Sequence, residues 1–142
     1  MSAPEEKSYV LFSLGMRRFA LPAEAVTELA RPDTLQAFPH RTPLLTGVLV
    51  RRGRIVPVCD VAQVLVGAGA PPRKYYLLAK CQLDSRQELL AVPVTGECEL
   101  VSFKPVLNQG EKAPYISGLL DTGEEIVEIV DLEALLSMEA VP

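Results

Sequence analysis

Short apolar runs rich in β-branched residues, separated by glycine, proline and charged turns, are the main pattern of this chain. The clearest example spans residues 47–65, where two apolar segments flank an Arg-Gly turn and a second apolar run follows Asp60. Alternating β-branched residues favour half-buried strands, and Gly53 can supply the positive φ that a tight hairpin turn needs. Asp60 can cap a following helix by accepting a backbone N–H. The stretch therefore predicts a hairpin followed by a short helix.

A second copy of this stretch lies in the other half of the chain. Adding 71 to the residue number maps a glycine, an isoleucine and an aspartate onto identical residues, namely Gly47, Ile55 and Asp60 onto Gly118, Ile126 and Asp131. Upstream, the segment 19–22 matches 90–93 at the same offset, and both segments end in proline. We interpret this as an internal duplication with a joint near residues 66–73. Two unrelated hairpins with common turn chemistry are the alternative.

The spacing of the apolar runs predicts about ten short strands, single-turn helices and a longer C-terminal helix from Asp131 to Met138. Strands at roughly ten-residue intervals are typical of closed or sandwiched β-structure. Closure into small barrels would remove exposed sheet edges. We expect a disordered lead-in over residues 1–7 and one domain over residues 8–140. The core is expected to draw on Ile55, Val56, Ile126 and Val127.

Composition excludes several classes of protein. The 142 residues are 49% hydrophobic and carry a net charge of −4, which argues against a general nucleic-acid surface. Neither a secretory signal nor an apolar run long enough to span a membrane is present, so no membrane insertion is expected. Three widely spaced cysteines without a Cys-x-x-Cys motif indicate buried thiols in a reducing cytoplasm, not disulfides or a zinc site.

Candidate chemistry is sparse. His40 is the only histidine, and no serine or cysteine nucleophile motif accompanies it. The carboxylates show no metal-loop spacing. We therefore expect no catalytic residue, no metal and no cofactor, and an unrecognised enzyme has little support.

Two clusters of residues are candidates for partner contacts. The first surrounds the turn at Gly53 and consists of Arg51, Arg52 and Arg54, with Gly47 leading into the hairpin. It can be a solvated hairpin tip or a charged contact for a partner protein.

The second cluster is the segment Val26-Thr27-Glu28-Leu29. Strict alternation would place Val26 and Glu28 on one face and Leu29 on the other, in the core. The matching segment begins at Thr95 and Gly96. These residues can belong to ordinary half-buried strands or line a groove in which a partner docks.

Together these motifs resemble the CheW-like domain of bacterial chemosensory arrays, over residues 9 to 137. The resemblance rests on a set of spaced segments: Phe12-Ser13-Leu14-Gly15, Phe19-Ala20-Leu21, Val26-Thr27-Glu28-Leu29, Pro43 to Val48, Arg52-Gly53, Pro57-Val58-Cys59-Asp60-Val61, Val130-Asp131-Leu132 and Leu135-Leu136. Two positions depart from the family pattern, with Val50 where Asn is frequent and Thr95 where Asp is frequent.

The resemblance implies a mainly all-β fold of two small five-stranded barrels around a shared core. It implies a non-enzymatic cytoplasmic scaffold that couples chemoreceptor tips to a CheA-type histidine kinase, in chemotaxis or a related motility or biofilm pathway. We expect a receptor groove at Val26, Glu28, Thr95 and Gly96, and a kinase or array contact at Gly47 and Arg51 to Arg54. A small-ligand-binding β-barrel sensor is the alternative function.

Overall fold

A computed structural model describes residues 5–31, 44–67, 75–83, 85–107 and 113–137 of the chain. These residues form strands, one 3₁₀ turn at Ala23–Ala25 and two short helices. In chain order the strands and helices are β1 (Lys7–Leu14), β2 (Arg17–Pro22), β3 (Val26–Ala30), β4 (Leu45–Arg51), β5 (Arg54–Cys59), α1 (Ala62–Leu65), β6 (Tyr75–Leu83), β7 (Arg86–Val94), β8 (Glu99–Phe103), β9 (Val106–Leu107), β10 (Ile116–Asp121), β11 (Ile126–Val130) and α2 (Leu132–Ser137).

The strands form two mainly antiparallel sheets. Sheet A has the order β8-β1-β2-β11-β10-β9, and sheet B has the order β3-β6-β7-β5-β4. The prediction of a mainly β fold is confirmed. In the described residues each order is open, because backbone pairing does not join the first strand to the last. Each sheet packs around its own apolar cluster, so the word barrel describes it only loosely.

The two halves of the chain cross over between the sheets. Sheet A combines β1 and β2 of the first half with β8 to β11 of the second, whereas sheet B combines β6 and β7 with β3 to β5. Within each sheet a matching parallel pair joins the two halves, Val58 with Ala91 in sheet B and Ile129 with Ala20 in sheet A. The two halves therefore repeat one pattern of strand pairing, but neither half forms a sheet by itself in the described part of the chain.

The ends of the two repeats lie partly outside the described residues. Lys7 was expected in the disordered lead-in, but it begins β1 and pairs with Phe103 of β8. Of the joint expected near residues 66–73, only Val66 and Gly67 lie in the described part of the chain.

Backbone details repeat at the offset found in the sequence. The Asp60 N–H donates to the Leu44 carbonyl at 2.7 Å, and the Asp131 N–H donates to the Tyr115 carbonyl, also at 2.7 Å. The register shifts at the same place in β4 and β10, after Leu45 and after Ile116. Such bulges bend a strand. Their recurrence at matched positions favours a duplication over two unrelated hairpins.

The first strand of each half matches at a slightly shorter offset. Tyr9 pairs with Pro22, and Tyr76 pairs with Pro93. The prolines keep the common offset of the repeat, but the tyrosines do not. The difference arises because the β6–β7 hairpin extends further than the β1–β2 hairpin before its turn.

Each sheet buries an apolar cluster of matched composition on one face. In sheet B the buried members are Ala30, Leu49, Val56, Val58, Tyr76, Leu78 and Ala91, and in sheet A they are Tyr9, Leu11, Ala20, Leu120, Val127 and Ile129. A third and larger cluster, the central core, draws on both sheets and both helices. Burial of these faces away from water is the main force that holds the sheets together.

The predicted turn at Gly53 is confirmed, and the corresponding hairpin of the second half also turns at a glycine, one position short of the repeat offset. Gly53 has a φ of 77° and Gly123 a φ of 88°. Arg52 also lies at positive φ, at 53°, so both central residues of the β4–β5 turn have the handedness of a type I′ turn. This geometry is strained for Arg52 and suits Gly53.

The predicted helix caps are only half correct. Asp131 Oδ1 accepts the Ala134 N–H at 3.1 Å and caps α2. Helix α1 begins with Val61 at its N-cap, without a side-chain cap. Asp60 is buried, and its Oδ1 has no hydrogen-bond partner among the described residues. Helix α1 begins at Ala62, so Asp60 lies one residue before the N-cap position, whereas Asp131 directly precedes α2.

The core prediction is also half correct. Val56 and Val127 are fully buried in the clusters of sheets B and A. Ile55 is 72% exposed and Ile126 is 59% exposed. Successive residues of a strand point to opposite faces, and near the hairpin tips only one face is covered.

Candidate functional site

An open groove of about 610 Å³ lies at one end of sheet B. Strand β3, the β4–β5 turn and strands β6 and β7 supply its walls. We call it the basic groove, and its lining residues are Thr27, Glu28, Arg51, Arg52, Arg54, Lys80, Gln87, Glu88 and Leu89. It unites residues that the sequence analysis assigned to two different partner sites.

A bidentate ion pair crosses the basic groove. Arg51 Nη2 donates to Glu28 Oε2 at 2.8 Å, and Arg51 Nε donates to Glu28 Oε1 at 3.3 Å. Arg52 Nε lies 3.6 Å from Glu28 Oε1. Glu28 belongs to β3 and Arg51 to β4, which are the two edge strands of sheet B. The ion pair therefore connects the two edge strands of sheet B, which backbone hydrogen bonds do not join in the described residues. The connection bends the sheet toward a barrel.

The ion pair stabilises the charged form of Glu28. The hydrogen bond from Arg51 lowers the pKa of the Glu28 carboxyl, against a smaller opposing effect of desolvation. The carboxylate thus has an internal partner, and the expected place of Glu28 in a receptor groove stays a prediction.

Val26 and Glu28 do not share a face of β3. A bulge between them shifts the pairing, so that Val26 lies opposite Ala79 and Glu28 opposite Leu78. Val26 is half-buried against the central core, and Leu29, expected in the core, is 37% exposed. The alternation assumed from the sequence is wrong here because the extra bulge residue reverses the side-chain order.

Thr95 and Gly96 lie apart from the basic groove. The Thr95 hydroxyl donates to the Ser13 carbonyl at 3.1 Å and accepts the Gly15 N–H at 3.0 Å. The Thr95 N–H donates to the same Ser13 carbonyl at 3.0 Å. Thr95 therefore fixes the tip of the β1–β2 hairpin. Gly96 is half-buried, and a Cβ there would meet nothing within 4 Å.

The predicted kinase-contact residues differ in accessibility. Arg52, Gly53 and Arg54 are exposed, and Arg51 is half-buried by its pairing with Glu28. Gly47 is buried in β4 opposite Val58. Its burial distinguishes Gly47 from the exposed residues of the turn, and its contact with a partner stays a prediction.

The matched end of sheet A has the opposite arrangement of charge. Arg18 donates to Glu99 at 2.7 Å and to Glu125 at 3.2 Å. At the repeat offset, Glu99 is the counterpart of Glu28, and Glu125 is the counterpart of Arg54. In sheet B two arginines surround one glutamate, whereas in sheet A two glutamates surround one arginine.

The described residues offer no other chemistry. They contain no group of three or more His, Cys, Asp and Glu side chains that could hold a metal ion. Burial raises the pKa of the Cys81 and Cys98 thiols to about 11, so both remain protonated and weakly nucleophilic at neutral pH. His40 lies outside the described residues. None of the described helices has the length and apolarity needed to cross a membrane.

Lys80, Gln87 and Glu88 were missed as site residues. They lie on β6 and β7, far in sequence from the Arg-Gly turn. The only signal in the sequence was the duplication itself, which did not reveal that the hairpin of the second half packs into the sheet of the first.

Similarity to known proteins agrees with this two-sheet fold. The family model described as the CheW-like domain matches residues 8–140. The chain belongs to the CheW-like domain family.

Individual members of the CheW-like family are distant in sequence but similar along their whole length. A probable chemotaxis protein CheW of Rhizobium etli is 22% identical over 137 residues, covering 93% of this chain and 88% of that protein. The chemotaxis protein CheW of Klebsiella aerogenes is 25% identical over 142 residues, covering 94% and 83%. The crystal structure of the scaffolding protein TtCheW from Thermoanaerobacter tengcongensis superposes with a TM-score of 0.78 at 18% identity, covering 92% of each chain. That structure shares the fold with this CheW-like chain.

Proposed function

We propose that the chain is a non-catalytic adaptor of a bacterial chemosensory system that couples chemoreceptors to a CheA-type histidine kinase. The observation that carries this proposal is the match of the CheW-like family model to residues 8–140. Full-length similarity to chemotaxis proteins CheW supports it. We place the adaptor in the cytoplasm, where kinase and receptor tips would meet it.

We propose that the exposed arginines of the β4–β5 turn, Arg52 and Arg54, face the kinase. The ion pair between Arg51 and Glu28 stabilises the base of this turn. We propose that receptor tips contact the surface near Val26, Thr95 and Gly96. The half-burial of Val26 leaves part of its side chain available for such a contact.

The alternative, a sensor that holds a small ligand inside a barrel, is not favoured. The clusters inside both sheets are filled by their own side chains, and Val56, Val58, Leu120 and Val127 are fully buried. A ligand of ordinary size needs a cavity of several hundred Å³.

Affinity capture from the native cell tests the proposal. The tagged chain is expressed at its natural level, and proteins bound to it are identified by mass spectrometry. We expect a CheA-type kinase and chemoreceptors, with less kinase in an Arg52→Glu variant and an unchanged amount in the matched charge change Lys104→Glu beside sheet A. Recovery of neither protein, together with a small ligand retained in native mass spectrometry, would contradict the adaptor role.

A further inference from the structure

The turns at the two matched hairpin tips carry opposite charges. The β4–β5 turn has three cations, Arg51, Arg52 and Arg54, and the β10–β11 turn has three carboxylates, Asp121, Glu124 and Glu125. Both turns carry a glycine at positive φ and follow a bulged strand, although Gly123 corresponds at the repeat offset to Arg52 and not to Gly53. The two tips thus share their strand pairing and carry opposite charges.

The basic groove carries positive charge that the protein itself does not neutralise. Its lining holds four cations and two carboxylates. Glu28 forms ion pairs with both Arg51 and Arg52. Arg54 and Lys80 have no ion-pair partner among the described residues. This stands out in a chain whose net charge is −4.

The matched end of sheet A is not expected to bind a ligand that the basic groove binds. Arg18 forms ion pairs with both Glu99 and Glu125. Glu124 and Asp121 remain exposed beside this group. The strand pairing of the two tips repeats, so each end of the fold presents a hairpin tip to a partner. Like-charge contact then penalises the wrong end.

We propose that the basic groove is the docking site of an acidic segment of a protein partner, and that the charge inversion at the matched tip forces the partner to bind one end of the duplicated fold. Carboxylates of the segment would pair with Arg54, Lys80 and the exposed side of Arg52. Leu89, half-buried in the groove lining, would contact an apolar residue of the segment. The identity of the partner, which would be the kinase or a receptor, rests on the proposed function. The acidic character of the docking segment does not rest on it.

The first test uses a fluorescein-labelled peptide rich in glutamate and leucine, titrated with the full chain and followed by fluorescence anisotropy at low salt. The variant is Arg54→Glu/Lys80→Glu. Its control is Lys7→Glu/Lys104→Glu, which makes the same change in net charge beside sheet A. We expect at least tenfold weaker binding by the groove variant and nearly unchanged binding by the control. Equal binding by wild type and groove variant would overturn the proposal.

Competition separates the possible occupants. Displacement of the peptide by inorganic phosphate or a DNA oligonucleotide as effectively as by unlabelled peptide would overturn the assignment to protein carboxylates. Concentration-dependent self-association in analytical ultracentrifugation, lost in Glu124→Lys, would assign the groove to the acidic tip of a second copy and would also overturn it. Circular dichroism of each variant verifies that the fold is retained.

A second arm uses the kinase or receptor captured from cells. If that protein binds wild type and Arg54→Glu/Lys80→Glu equally, the groove proposal fails and the adaptor function stands. If the groove variant loses the acidic peptide while no kinase or receptor is ever captured, the adaptor function fails and the groove proposal stands.

Discussion

At the scale of single residues, neighbouring positions of one strand have opposite roles. Val56 is fully buried inside sheet B, whereas Ile55, one residue earlier, is 72% exposed. The larger and more hydrophobic residue lies outside, so hydrophobicity alone does not identify the core. The same holds at the matched positions of the second half, where Val127 is buried and Ile126 is exposed.

We predict that Val56→Ala and Val127→Ala each lower the free energy of unfolding by about 2–3 kcal/mol, from lost burial plus the cavity left behind. Ile55→Ala and Ile126→Ala, the matched controls, should change it by less than about 0.5 kcal/mol, as at other exposed sites. Urea denaturation measures all four. A loss at the isoleucines as large as at the valines would show that the strand faces are assigned wrongly.

The Glu28–Arg51 pair predicts a pH dependence of stability. Because the pKa of Glu28 is lowered below 4.5 in the fold, its contribution is complete above that value and is lost as the pH falls through the lowered pKa. Wild type should therefore be more stable than Glu28→Gln at pH 7, and the difference should shrink toward pH 3. Denaturant melts at both pH values measure it, and a difference that stays constant would argue against the pair.

At the scale of elements, bulges and hairpin lengths decide which side chains meet. The sequence was sufficient to predict the two hairpins, their glycine turns and the repeat, because these depend on local chemistry. It was not sufficient to predict the bulge between Val26 and Glu28, since one extra residue leaves no local composition signal and yet reverses the faces of β3. The Glu28–Arg51 pair, which joins the two edge strands of sheet B, was hidden for the same reason.

We expect Thr95 to act through the β1–β2 hairpin. Thr95→Val keeps the shape of the side chain and removes the two hydrogen bonds of the hydroxyl, while the bond from the Thr95 N–H to Ser13 remains, so the free energy of unfolding should fall by about 1–2 kcal/mol. Thr95→Ser retains the hydroxyl and serves as the control. If Thr95→Val leaves the unfolding curve unchanged but weakens receptor binding, the residue is a direct contact and its hydrogen bonds are incidental.

At the scale of the whole molecule, the two halves of the chain repeat one strand arrangement and are interleaved. Each sheet combines the first hairpin of one half with the remaining strands of the other, and the central core contains residues of both. This interleaving links both halves of the chain through one shared core. It was beyond the reach of the sequence, because pairing between distant strands leaves no periodic signal.

The most direct test of the adaptor role is co-sedimentation of the kinase with receptor-containing membranes. Receptor-containing membranes from a strain that lacks the chain are mixed with the purified kinase and centrifuged, with and without the purified chain. We expect kinase to enter the pellet when the wild-type chain is present, and much less to do so with Arg52→Glu. An equal amount of kinase in the pellet with and without the chain would contradict the adaptor role.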